Sequence, residues 1–128
     1  MDVFDIIGPI MIGPSSSHTA GAARIGRYAL NILGETPVKA EIYFSGSFAK
    51  TYKGHGTDKA IIAGILGMDT DDLGLKYSFE TAEERGLEFN FHVCEIENSH
   101  PNTAYIELTG DTGKKVKVQG ASIGGGNI

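Results

Sequence analysis

Cysteine is almost missing from this sequence. Cys94 is the only one among 128 residues, so no internal disulfide forms. One thiolate alone holds neither a zinc ion nor an iron–sulfur cluster. Tryptophan is absent, and basic residues are outnumbered, 11 Lys and Arg against 16 Asp and Glu, for a net charge of −5. That balance excludes nucleic acid as the main partner, because such binding needs a basic face. Long apolar runs are missing too: no stretch approaches the roughly twenty apolar residues that span a bilayer. Residues 1–12 are apolar but carry two aspartates and no basic start. They do not read as a secretory signal, and the expected location is cytoplasmic. What remains is 41% hydrophobic and 21% charged, the balance of a globular chain with one core, a single domain over residues 1–128. Glycine is the residue in excess, with 18 copies, roughly twice the usual share of about 7%.

The chain is organised around Gly13-Pro14-Ser15-Ser16-Ser17-His18-Thr19-Ala20-Gly21. Pro14 breaks the preceding segment. From Ala20 onward Ala22, Ile25, Ala29 and Ile32 recur at the spacing of an amphipathic helix. The hydroxyls and His18 therefore collect at a helix N-terminus, where unpaired N–H groups and the positive dipole end favour an anion. A small carboxylate or phosphate suits that set. The plainer alternative is that Ser17 or Thr19 only caps the helix and His18 lies on the surface.

The rest of the chain reads as α+β. Residues 1–14 form an apolar arm that must pack against something, since Val3, Phe4, Ile6, Ile7, Ile10 and Met11 are costly in water. A helix runs from Ser17 or His18 to Leu33, with Gly34 as C-cap. A strand follows from Pro37, with Val38, Ala40, Ile42 and Phe44 on one face and Lys39, Glu41 and Tyr43 on the other. Next comes a glycine-rich polar passage, Ser45 to Asp58, of the kind that often carries function. Thr57 is the expected N-cap of a helix over Lys59–Leu66, which is apolar nearly all round and so buried. A further helical segment spans Phe79–Arg85 and ends at Gly86. Three strands close the order. Phe89, Phe91 and Val93 mark the first, Ala104, Ile106 and Leu108 the second, and Val116 and Val118 the third. The last two form an antiparallel hairpin about Gly110–Gly113. Helices covering one face of a mixed sheet are expected.

Among the four histidines, His92 alternates with apolar neighbours in a strand and reads as structural, and His100 opens a turn. His18 and His55 are the chemical candidates, because each sits beside glycines or hydroxyls and each precedes a helix. An imidazole there accepts a proton when neutral and binds a carboxylate when charged. Lys50 and Lys53 are placed to hold an anion beside His55, or simply to be solvated. There is no Gly-X-Ser-X-Gly elbow, no phosphate loop and no dinucleotide fingerprint. Close metal-ligand spacing is also lacking, so no metal site is expected on this chain.

Four motifs carry a family resemblance: Gly13-Pro-Ser-Ser-Ser-His-Thr-Ala-Gly21, Gly46-Ser-Phe-Ala-Lys-Thr-Tyr-Lys-Gly-His-Gly-Thr-Asp-Lys59, His100-Pro-Asn-Thr103 and Ser122-Ile-Gly-Gly-Gly-Asn-Ile128. From end to end the chain resembles the iron–sulfur-dependent L-serine dehydratases, and most closely the β chain of the two-subunit bacterial form. The resemblance implies a lyase converting L-serine to pyruvate and ammonia, active only as an assembly. It implies a 4Fe-4S cluster held by the cysteines of a separate α chain, where an open iron takes the substrate hydroxyl as a Lewis acid. Carried onto this sequence, His18 holds the substrate carboxylate with Ser15, Ser16, Ser17 and Thr19. His55 is the candidate base, with Thr57 and Lys53 nearby. The implied fold is similar to the allosteric substrate-binding domain of some phosphoglycerate dehydrogenases, with a mixed sheet of roughly four strands. The family's β chain continues into a small regulatory ACT domain where this sequence stops, which implies a shortened chain that starts naturally at Met1. The implied partners are the α chain, L-serine and further copies in an oligomer, with no nucleic acid and no membrane. The alternative, drawn from the same likeness, is a regulatory module that binds a small anion or serine without catalytic residues.

Overall fold

Alternation of apolar and polar residues builds the sheet. In β2 (Pro37–Gly46) Ala40, Ile42 and Phe44 are fully buried, whereas Lys39 is exposed and Glu41 and Tyr43 are half-buried. The same two-residue period buries Ala104, Ile106 and Leu108 in β4 (Asn102–Gly110) and Val116 and Val118 in β5 (Lys115–Gly124). The computed structural model describes residues 4–15, 18–46, 56–68, 76–93 and 102–124. With β1 (Phe4–Ser15) and β3 (Glu88–Val93) the sheet has five strands in the order β1-β5-β4-β2-β3. The α+β class and the mixed sheet agree with the sequence. The fifth strand is the apolar arm, which finds its partner in β5 as a parallel strand. β4 and β5 form the expected antiparallel hairpin, with Thr109 opposite Lys115 and the turn closed by Gly113 at φ 92°.

Three helices among the described residues, α1 (His18–Leu33), α2 (Thr57–Leu66) and α3 (Ser78–Glu84), accompany the sheet. α1 is amphipathic: Ala22, Ile25, Ala29 and Leu33 are buried, while Arg24, Arg27 and Asn31 face water. It lies over β5 and β4. At the contact Ile25 fills the space above Gly120, where a Cβ would stand 2.7 Å from Ile25 Cγ1. Gly34, at φ 71°, ends the helix with its N–H on the Leu30 carbonyl at 3.0 Å. α2 is buried from Ala60 to Leu66. It crosses α1 at two glycines that face each other's backbone. A Cβ on Gly26 would come within 3.0 Å of Ile65 N, and one on Gly64 within 2.8 Å of Arg27 N. Phe79 of α3 packs on Phe89 and Phe91 at ring separations of 5.0 and 5.9 Å.

Away from the helices, the sheet carries a polar face. Glu41 Oε1 accepts a 2.6 Å hydrogen bond from His92 Nε2, and Glu41 Oε2 accepts one of 2.9 Å from Asn90 Nδ2. His92 stacks on Tyr43 at 4.6 Å, and Tyr105 meets Tyr43 edge-on at 5.8 Å. His92 thus has the structural role read from the sequence: it fastens the edge strand β3 to β2. Partial burial pushes the Glu41 carboxyl up. The bonds from His92 and Asn90 and the nearby positive charges outweigh that effect and hold it below its ordinary value of 4.5. At the other end of the sheet Glu35 accepts hydrogen bonds from Thr112 N at 2.8 Å and Thr112 Oγ1 at 2.7 Å, which hold its carboxyl down.

Two outcomes follow from this packing. Gly64→Ala drives a methyl group into the α1 backbone and should lower stability by about 1–3 kcal/mol, read as a drop in denaturant midpoint, with unchanged stability contradicting the crossing. A carboxylate with a depressed folded pKa stabilises fully above its unfolded value and loses that contribution as pH falls through the folded one. Replacing Glu41 by Gln should therefore cost about 0.2–1 kcal/mol near neutrality. The difference from wild type should shrink below the ordinary value of 4.5. Thermal midpoints across pH 3–7 check this, and a difference independent of pH would count against the clamp.

Candidate active site

Strand direction decides where the candidate residues gather. β1, β2, β3 and β5 run one way and β4 runs against them. The carboxyl ends of four strands therefore lie at one end of the sheet, with Ser15 beside Gly124, Gly46 opposite Asn102 and Ser45 opposite Thr103. α1 starts at His18, directly after β1 ends. α2 packs along α1 with Gly64 against Ala23 and Arg27 and with Gly67 against Leu30, so the two helices run the same way. An equal count back from Ile25 and from Gly64 reaches His18 and Thr57. Both helix N-termini thus open at the carboxyl end of the sheet, where α/β sheets place their ligands. Each first turn presents backbone N–H groups that its own helix leaves unpaired, with the positive end of the dipole behind them.

The start of α2 differs in detail from the sequence expectation. Thr57 is not the N-cap. Gly56 takes that position at φ 78°, with no side-chain cap, and its carbonyl accepts Ala60 N–H at 2.9 Å. The reason is steric: a left-handed backbone suits glycine and is strained for a β-branched residue. Thr57 becomes the first helical residue, fully buried, and its Oγ1 has no hydrogen-bond partner among the described residues. Asp58 Oδ1 accepts Lys59 N–H at 2.7 Å. Ser78 Oγ donates to the Lys59 carbonyl at 2.9 Å, tying the start of α3 to the first turn of α2. The N-terminus of α2 is thus held by a buried helix and braced from a second one.

Of the candidates, the backbones of Ser15, His18 and Thr19 and the whole of Thr57 come to this end of the sheet. Ser16, Ser17, Lys53 and His55 lie outside the described residues, as do Lys50, Cys94 and His100. His55 precedes the left-handed Gly56 in the chain. Two further polar residues matter here: Ser45, which the sequence offers as a ligand donor or, more simply, a loop hydrogen-bonding residue, and Thr103, which it places on the polar side of a strand. They face each other across β2 and β4, 4% and 0% exposed, at the same end of the sheet. Their signal was weak, since strict alternation puts both on the polar face beside Tyr43 and Tyr105. A cleft of about 500 Å³ lined by Leu30, Glu35, Thr36, Leu66 and Arg85 lies at the opposite end, where the helices finish, and holds none of the candidates. Among the described residues no group of three His, Cys, Asp or Glu side chains is arranged around a metal position.

The family model described as serine dehydratase beta chain matches residues 2–85, a span that includes both helix starts. The chain is 54% identical over 126 residues to the probable L-serine dehydratase beta chain of Bacillus subtilis (strain 168), covering 98% of this chain and 57% of that one. It is 47% identical over 124 residues to the L-serine dehydratase beta chain of Peptoniphilus asaccharolyticus, covering 96% of this chain and 56% of that one. A shorter match, 44% identical over 88 residues, covers 62% of this chain and 19% of L-serine dehydratase 2 of Escherichia coli (strain K12). The chain therefore spans little more than half the length of the beta chains it matches.

A buried hydroxyl without a partner costs stability unless a ligand uses it. Thr57→Val should therefore raise the stability of the free chain by about 0.5–2 kcal/mol while impairing whatever binds at the α2 start. Chemical denaturation of both forms checks the first half. A clear loss of stability would mean that Thr57 Oγ1 is already satisfied within the chain.

Proposed function

The chain belongs to the serine dehydratase beta-chain family, and from that premise we propose that it contributes half of an L-serine dehydratase active site that a second chain completes. The observation that carries the proposal is the meeting of two helix N-termini at the carboxyl ends of four strands, with a buried Thr57 hydroxyl that has no partner among the described residues. The reaction needs three things: an anchor for the substrate carboxylate, a base for the Cα proton and an acid for the departing hydroxyl. In this reading the carboxylate sits at the start of α1, held by His18 with Ser15, Ser16, Ser17 and Thr19 and by the first-turn N–H groups. His55, the residue before Gly56 in the sequence, takes the Cα proton, with Lys53 as a further anion-holding group. Thr57 offers its hydroxyl to the same ligand.

One cysteine does not supply the thiolates of a 4Fe-4S cluster, so in this proposal the partner chain holds that cluster and supplies the Lewis acid for the hydroxyl. Loss of the Cα proton and of the Cβ hydroxyl, together one water, turns L-serine into 2-aminoacrylate. Its imine form adds water and releases ammonia, leaving pyruvate. This chain's own part is to fix the substrate and move one proton, and alone it is inactive.

The test is pyruvate formation from L-serine under anaerobic conditions, with the partner chain alone and with the full-length β chain added. Pyruvate should appear only with both. His55→Ala should lower turnover by a factor of about 100 or more, the usual contribution of a general base, with the partner's cluster spectrum unchanged. Full activity of the partner alone would instead make this domain a regulatory binder of small anions.

A further inference from the structure

The two edges of the sheet are built differently. β1 forms one edge and is blunted by Pro9 and Pro14 and by two register shifts, between Ile7 and Ile10 and between Ile12 and Ser15. Prolines and bulges are common guards against edge-to-edge pairing. β3 forms the other edge and has none of these. It is Glu-Phe-Asn-Phe-His-Val, without proline or lysine, and keeps an unbroken register on β2 from Glu88 to Val93. Among the described residues nothing pairs with its outer side. Its helix-facing side presents half-buried Phe89 and Phe91, and Val93 is 59% exposed.

We infer that the outer edge of β3 pairs antiparallel with β3 of a second copy of this chain, about a two-fold axis at Asn90. The sequence of the strand chooses the partner and the register. Residues directly opposite in an antiparallel pair point to the same face, so the axis must pass through a residue and not between two. An axis at Asn90 sets Glu88 opposite His92 of the second copy, twice by symmetry, and Phe89 opposite Phe91, also twice. A carboxylate facing an imidazole that donates to it, and paired aromatics, are favourable cross-strand combinations. An axis at Phe89 sets Glu88 opposite Asn90, and an axis at Phe91 sets Asn90 opposite His92. Neither sets Glu88 opposite His92. The axis at Phe89 also cuts the overlap from five residues to three, and the axis at Phe91 keeps five but leaves one aromatic pair, Phe91 on itself, with Phe89 opposite Val93. The groups around the new pair are Lys39, 4.0 Å from Glu88, and Glu41, 2.6 Å from His92. His92 then lies between two carboxylates, its own Glu41 and Glu88 of the second copy. Backbone hydrogen bonds give such strand addition its affinity, and the alternating side chains give its register.

Cysteine scanning in a Cys94→Ser background reads the register directly. Asn90→Cys faces itself across the axis at the spacing of paired strands, about 4.5–5.5 Å between Cα atoms, within disulfide reach. Glu88→Cys lies about four residues out of register with its own copy, roughly 14 Å away, and cannot bridge. Mild oxidation should crosslink Asn90→Cys to dimer at least about tenfold faster than Glu88→Cys, with circular dichroism confirming that both fold. Sedimentation of the Cys94→Ser chain should show a concentration-dependent dimer. Equal crosslinking at the two positions, or faster crosslinking at Glu88→Cys, overturns the register. A chain that stays monomeric up to roughly 1 mM overturns the pairing, and the edge then serves a different partner.

Discussion

Everything at the candidate site depends on how closely α1 and α2 approach. Gly26 and Gly64 face each other's backbones across the crossing, and no side chain fits between them. The helices therefore meet at backbone distance, flanked by small residues, Ala22, Ala23 and Ala29 on one and Ala60 and Ala63 on the other. Such an approach tolerates little sliding, because interiors are close-packed and a shift of either helix drives backbone into backbone. It fixes the two helices side by side and in the same direction. Their first turns are then bound to open together.

The sheet decides what those first turns open onto. Since β4 alone is reversed, four strands end on one side. α1 begins three residues after β1 ends, so connectivity alone carries Ser15, His18 and Thr19 to that side. α2 begins at the same side, with Gly56 and Thr57 at its start. Gly120 makes its own contribution: without a side chain on β5, Ile25 sits directly on the sheet, and the start of α1 is held at a fixed height above the strand ends. Glu35 on Thr112 braces the opposite end, where the helices finish and their C-terminal dipoles repel anions.

Most of the elements are legible in the sequence because their signals are local. The two-residue alternation of Ala40, Ile42 and Phe44, the helical spacing from Ala22 to Leu33 and the C-cap Gly34 each depend on neighbours in the chain. The all-apolar run from Ala60 to Leu66 correctly announces a buried helix. What escapes is set by distant residues. Nothing within residues 4–15 says that the arm will pair parallel with β5. Nothing near His92 names Glu41 as its partner, fifty-one residues away. The capping of α2 escapes for a different reason. Thr and Gly both suit the N-cap, and only the left-handed turn at φ 78° separates them. Of the candidate site, the two helix starts are legible as motifs, whereas their meeting at one end of the sheet follows only from strand order and the glycine crossing.

The misassigned cap is itself informative. A threonine at the N-cap would satisfy a backbone N–H of its own helix and stabilise it. Here Gly56 holds that position without a side-chain cap, and the threonine hydroxyl is buried without a partner among the described residues. Both features weaken the start of α2, yet the helix behind it is almost completely buried and braced by Ser78. Burial of the isoleucines and Leu66 offsets the loss at the first turn. A glycine cap and a hydroxyl unpartnered among the described residues, on a helix held rigid by burial, fit the proposed ligand end better than an arrangement selected for stability alone. Only at a helix start does a rigid core expose backbone donors without breaking the helix that positions them.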